Sequence, residues 1–259
     1  MHDRSALITG SSQGIGFAIA EAFARAGCGV TLHGLGDRDT LEATRVRLAS
    51  DTGAHVELSQ VDVSDGASIA TMVAEHCKAH GGIDILVNNA GIQHVAPVDE
   101  FPVDKWNAIL AINLSAAFHT TRAALPTMRG RGFGRIINIA SAHGLVASEF
   151  KSAYVAAKHG LLGLTKVVAL EVAKSAITCN AICPGYVRTP LVDQQIADQA
   201  AAHGISEERV IDEVILQKQP NKRFVPVDEI ASLCCYLASA QASAVNGATL
   251  SIDGGWVAQ

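Results

Sequence analysis

Three side chains within one short stretch can do chemistry together: Ser141, Tyr154 and Lys158 in SAHGLVASEFKSAYVAAK. The tyrosine and lysine are four positions apart, so on a helix they share one face, a turn from each other. A phenol with its ordinary pKa near 10 is a poor base at neutral pH, whereas an efficient proton-transfer group titrates near the working pH. A cation about 4 Å away at an effective dielectric of about 20 stabilises a phenolate by roughly 4 kcal/mol, on the order of three pKa units before desolvation subtracts from it. Lys158 is expected to be that cation. Ser141 closes the apolar run RIINIAS, where a hydroxyl at a strand's carboxyl end can bond a substrate oxygen. The YxxxK spacing alone equally fits a buried helix with an incidental tyrosine, so its context has to decide.

A second set of residues suits a phosphate-bearing ligand. SALITG reads as a strand, SSQGIG as a glycine-rich turn and FAIAEAFARAG as a helix. Gly10, Gly14 and Gly16 keep that turn tight and let main chain approach a pyrophosphate at the helix N-terminus, with Ser12, Gln13 and Ile15 between them. GVTLH follows as a second strand. Gly34 and Leu35 stand at its end, where a ribose-binding acid is expected, with Asp37, Arg38 and Asp39 just beyond. With neutral Gln13 in the glycine turn and Arg38 the only obvious partner for a 2′-phosphate, NAD is expected over NADP. AHVELSQVDVSD is expected to be a third strand ending in Asp62 and Val63, placed to bracket an adenine edge, or else a plain strand end with a helix cap at Ser64 or Asp65. IDILVNNAG is a fourth strand, running into Asn88, Asn89, Ala90 and Gly91, where main chain can pass close to a ligand and an asparagine can tie strand ends.

The elements that would carry these groups alternate along all 259 residues, short apolar runs with helical patterns, which is the signature of parallel strands joined by crossover helices. No linker or composition shift divides them, so one domain over 1–259 is expected. Apolar residues make up 49% and charged residues 17%, which fits a compact interior flanked on both faces better than a disordered chain, and a net charge of -5 argues against a nucleic-acid backbone partner. The N-terminus enters a strand-like run at once, and no apolar run is long enough for a membrane span, so a cytoplasmic protein is expected. Six cysteines without a CxxC spacing read as buried reduced thiols, with no metal site. One long helix is expected over 104–128, with Asn113 in its apolar middle as a clip or a water-holding group. Pro184, Gly185, Tyr186, Val187 and Thr189 follow the sixth strand. Residues 190–219 interrupt the alternation with short amphipathic patterns, either a helical lid over the site or a packed helical hairpin.

TGSSQGIG at 9–16, DV at 62–63, NNAG at 88–91, Asn113, Ser141, YVAAK at 154–158 and PGYVRT at 184–189 together resemble the short-chain dehydrogenase/reductase family over nearly the whole chain. The resemblance implies an α/β Rossmann-type three-layer sandwich with a seven-stranded parallel sheet. It implies Tyr154 as acid/base, Lys158 as its tuner and ribose contact, Ser141 as polariser of the substrate oxygen and Asn113 as holder of a proton-relay water. Cofactor contacts are expected at Gly10, Ser12, Gln13, Gly14, Ile15, Gly16, Leu35, Asp62, Val63, Asn89, Ala90, Gly91, Tyr154, Lys158, Pro184, Gly185, Val187 and Thr189. A homotetramer built on the two long apolar helices and the last strand is implied as well.

Lys151, at the lip of the catalytic helix, would suit a small carboxylate among neutral donors. NNAGIQH, GRIINIASAHGLVAS, KSAYVAAKHG and NAICPG further resemble bacterial members of the family that oxidise D-3-hydroxybutyrate with NAD. By that resemblance Gln93, His143, Lys151 and Gln195 bind the substrate carboxylate, beside Ser141 and Tyr154. Tyr186 departs from the tryptophan frequent at its place, which keeps an aromatic wall but adds a hydroxyl. Alternatives are a reductase for another 3-hydroxy acid, a 3-oxoacyl thioester or a neutral alcohol, or a dinucleotide-sensing module without turnover.

Overall fold

The computed structural model describes residues 1–189, 192, 193, 196, 197, 200 and 204–258. Seven parallel strands, β1 (Ser5–Ile8), β2 (Gly29–His33), β3 (Val56–Ser59), β4 (Ile85–Asn88), β5 (Gly134–Ile139), β6 (Ile177–Pro184) and β7 (Thr249–Ile252), form one sheet in the order β3-β2-β1-β4-β5-β6-β7. Their continuous apolar runs are buried on both faces, as a parallel sheet between helix layers requires. Alternation along each strand then sorts the residues into two cores. Ala6, Ile8, Ile85, Val87, Ile137 and Ile139 join one, while Leu7, Leu86 and Ile136 join the other.

The first face is covered by α1 (Gly14–Arg25), α2 (Arg38–Thr52) and α8 (Val227–Ala238), with Ile19 and Phe23 of α1 packed against Ile230 and Leu237 of α8. The second carries α3 (Gly66–His80), α4 (Val103–Leu110), α5 (Ala116–Arg131) and α6 (Ser152–Val172). A short helix α7 (Glu207–Val210) continues into a π-helical turn, Ile211–Ile215. That pair lies within the expected insertion, whose described residues are 192, 193, 196, 197, 200 and 204–219. Gln195 lies outside the described residues.

Two expectations need correction. The single helix over 104–128 is α4 and α5 joined by a π-helical segment, Ala111–Ser115, centred on Asn113. The extra residue per turn re-aims a side chain without ending the helix. The third strand stops at Ser59, and Asp62 and Val63 belong to the turn before α3, where Asp65 caps the helix through the amides of Ala67 and Ser68. No helix among the described residues is long and apolar enough to cross a membrane, and all six cysteines are free thiols.

Candidate active site

Strand order reverses between β1 and β4, so their carboxyl ends open a crevice at a topological switch point. The glycine turn lies on one side of it. Gly10 adopts a left-handed φ of 63°, and a Cβ on Gly16 would stand 2.3 Å from the Gly10 carbonyl oxygen and 2.5 Å from Asn89 Nδ2. Only hydrogen fits there. Asn89 donates to the carbonyls of Thr9 (3.0 Å) and Gly10 (2.8 Å), and Thr9 Oγ1 accepts from the amides of Asn89 and Ala90. The two strand ends are thereby tied. Asn88, one residue earlier, reaches Asn138 and Thr120 in the interior, so the paired asparagines brace the sheet on both sides of the crevice.

At the start of α1, Gln13 makes no side-chain cap, which leaves the first amides of a twelve-residue helix to an incoming anion. Ser12 lies against Gly34, where a Cβ would meet its Oγ at 2.5 Å. Leu35 is 61% exposed. Asp37 is committed as the cap of α2, accepting from Thr40 N at 2.9 Å, and Asp62 accepts from Ser64 N at 2.8 Å. Val63 buries its side chain in the second core, so only its main chain is left for a ligand.

One cleft collects most of the remaining predicted residues: Ile15, Asn89, Gly91, Gln93, Ser141, His143, Lys151, Tyr154, Lys158, Pro184, Gly185, Tyr186, Val187 and Thr189 all line it. Tyr154 and Lys158 share the inner face of α6, with the ammonium 5.6 Å from the phenol ring centroid. Lys158 is buried and donates to the Ile139 carbonyl at 2.8 Å. Burial brings its pKa down to about 8. Tyr154 is half-buried as a residue, but its hydroxyl end is enclosed, and burial raises its pKa while the Ser141 hydroxyl bond pulls it back. The net direction is upward, against the expectation of a depressed phenol, because desolvation of the anion outweighs the bond from Ser141.

Asn113 lies behind this cleft. Its Oδ1 accepts from Ile92 N and its Nδ2 donates to Ile92 O, both at 2.9 Å. Of the two roles read for it, the amide performs the clip.

The other wall is aromatic and cationic. Tyr186 stacks on Trp256 at 5.4 Å between centroids and 6° between planes, and His143 meets Trp256 edge-on at 5.0 Å. Lys151 Nζ donates to the Tyr186 hydroxyl at 3.3 Å, and burial lowers its pKa. His143 pairs with Ser148 Oγ at 2.8 Å. Burial, with the charge of Lys151 adding to it, brings the imidazole down to about 3, so it is neutral at physiological pH. Gln93 Nε2 is enclosed without a hydrogen-bond partner.

Sequence reasoning missed two residues here. Trp256 follows a glycine pair after β7, and a short 3-10 helix, Trp256–Ala258, brings it back over the site; Asp253 holds that turn through Gly255 N and Val257 N. The aromatic after two glycines near the chain's end was the available signal. Gln219 is fully buried, accepts from Tyr186 N at 3.0 Å and donates to the Arg223 carbonyl. A Cβ on Gly185 would meet its Oε1 at 2.5 Å. Nothing in its sequence context marks it.

Residues 10–257 match the family described as enoyl-(acyl carrier protein) reductase. A protein of Rhizobium meliloti (strain 1021) named D-beta-hydroxybutyrate dehydrogenase is 54% identical over 99% of both chains. One of the same name from Cupriavidus necator is 50% identical over 100% of both. An actinorhodin polyketide ketoreductase solved with NADPH superposes with a TM-score of 0.92 at 33% identity, covering 99% of this chain and 98% of its own. The chain belongs to the short-chain dehydrogenase/reductase family.

Short-chain dehydrogenase/reductases are oxidoreductases that use nicotinamide dinucleotides, and the residues present fit such a group. The space above Gly14 is open as far as Thr189 Cγ2, 3.5 Å from where a Cβ would stand, and the uncapped start of α1 offers amides to phosphates.

Proposed function

We propose that this chain is an NAD-dependent dehydrogenase that reversibly oxidises D-3-hydroxybutyrate to acetoacetate. The observation that carries the substrate is a pair of unmet groups in the cleft beside Ser141 and Tyr154. Lys151 is an ammonium without an ion pair among the described residues, and Gln93 Nε2 is a donor without an acceptor. A carboxylate satisfies both. The Tyr186, Trp256 and His143 rings wall the same cleft and suit a short alkyl end, and the names of the two close relatives agree.

Bound here, the oxidised nicotinamide supplies the acceptor for the hydride that leaves the substrate carbon. Tyr154 as phenolate takes the hydroxyl proton, and Ser141 donates to the same oxygen. Lys158 sets the positive potential that favours the phenolate, fixed in place by the Ile139 carbonyl. Asn113 acts by clamping Ile92 and so holding the main chain that carries Gln93.

NAD is favoured over NADP because Gln13 in the glycine turn is neutral and Arg38 is the only obvious partner for a 2′-phosphate near the end of β2. We further read 1–259 as one domain with a lid at 190–219, working in the cytoplasm as its free thiols suit. The assembly is a homotetramer, supported by Phe118, Val167 and Leu170, exposed along α5 and α6. A monomer mass by light scattering would refute the assembly.

The deciding experiment is initial NADH formation from the purified protein with D- and L-3-hydroxybutyrate, and with NADP in place of NAD. Turnover confined to the D acid with NAD is the expected result. Turnover of a neutral alcohol without the acid overturns the substrate.

A further inference from the structure

We propose that His33 is a positioning residue for the dinucleotide site, its neutral imidazole locking the glycine-rich turn to the end of β2 and the segment after β3 through one obligatory tautomer. This rests on the nicotinamide cofactor of the preceding section but not on the identity of the substrate.

His33 ends β2 and is buried. Gly10 N donates to its Nδ1 at 2.9 Å, and its Nε2 lies 2.8 Å from the Val61 carbonyl. An amide can only donate and a carbonyl can only accept, so Nδ1 must be bare and Nε2 must carry the hydrogen. The main chain repeats the link: Ser11 N donates to the His33 carbonyl at 2.7 Å, and His33 N donates to Ser11 Oγ at 2.9 Å. One residue thus joins the first glycine of the turn, the end of β2 and the carbonyl next to Asp62.

The turn has no slack on its far side, since a Cβ on Gly10 would already stand 2.8 Å from Ala90 Cα. A displacement at His33 therefore passes into the segment that faces the phosphates. A proton on Nδ1 would set two N–H groups against each other and release Gly10. Burial resists that proton. Asp62, the charged group facing the ring from the segment after β3, and the Val61 carbonyl favour it, while the glycine turn offers only neutral Ser11 and main chain. Burial wins, and the imidazole titrates below its ordinary value.

The test is NADH binding by fluorescence titration to the parent, His33→Leu and His33→Asn at about pH 8, where an imidazole is neutral. Leaving Gly10 N–H buried and unpaired should weaken NADH binding in His33→Leu by about 5-fold to about 150-fold. KM for NAD should rise far more than kcat falls. His33→Asn, whose amide oxygen can accept from Gly10 N, should recover part of the affinity. NADH binding by His33→Leu equal to the parent's, or equal weakening in both variants, overturns the proposal. Should the variants not fold, nitrogen NMR of the parent's His33 decides the same point: an Nε2–H tautomer supports it and an Nδ1–H tautomer overturns it. No hydroxy acid is used, so failure here is distinct from failure of the substrate assignment.

Discussion

Replacing Lys151 by methionine keeps most of the stem and removes the charge. The ammonium lies in a cleft wall where burial lowers its pKa, and its recorded partners are the neutral Tyr186 hydroxyl at 3.3 Å and the Tyr186 ring at 5.5 Å. A carboxylate about 4 Å away at an effective dielectric of about 20 would be attracted by roughly 4 kcal/mol, much of it offset by desolvating the acid. The net value of a hydrogen bond to a charged group is about 1.5–3 kcal/mol, so KM for 3-hydroxybutyrate should rise by about 10-fold to about 150-fold with kcat far less changed. Two side effects sharpen the assay. His143 loses the charge that helps hold its pKa low, so its titration moves up. The variant should be no less stable than the parent, because a half-buried cation without an ion pair among the described residues has been removed. In the parent, the Lys151 pKa is depressed, so the ammonium is lost as pH rises, and KM should climb at alkaline pH. Lys151→Met should lack that climb. Steady-state rates with D-3-hydroxybutyrate across pH measure all of this. A fall in kcat at unchanged KM would refute a carboxylate-binding role for Lys151.

Tyr154→Phe should reduce kcat by about 10²- to 10⁴-fold while NADH still binds, as loss of a general base requires; a loss below about tenfold in a rapid-quench turnover would remove the tyrosine from the mechanism. Because burial raises the Tyr154 pKa, the phenolate grows with pH, and kcat/KM for oxidation should rise with pH in the range below that pKa. A flat profile in steady-state rates contradicts this. His76 and His143 are both held neutral, with pKa brought down to about 3 by burial. Each contributes stability above the unfolded value of 6.5, lost as pH falls from there towards about 3, so urea midpoints should decline over that window.

Much of the site was legible because its chemistry is local. Tyr154 and Lys158 meet by helical spacing, and Gly10, Gly14 and Gly16 mark a turn because main chain crowds there. The boundaries of β2 agree with the run GVTLH for the same reason: period and turn residues act over a few positions. The third strand was read too long, since QVDV is apolar enough to continue a strand while the structure uses it to turn into α3.

What the chain by itself determined is therefore the order of strands and helices, the reacting pair on α6 and the glycine turn, each set by neighbours in sequence. Tertiary structure alone decided the rest. Trp256 reaches His143 and Tyr186 from the other end of the chain, and Gln219 holds Tyr186 from 33 positions away. His33 finds Gly10 and Val61 only when three strand ends converge. The direction of the Tyr154 pKa belongs here too. Spacing shows which charges are near, but burial sets how much water is left to solvate an anion, and burial is a property of the packed whole.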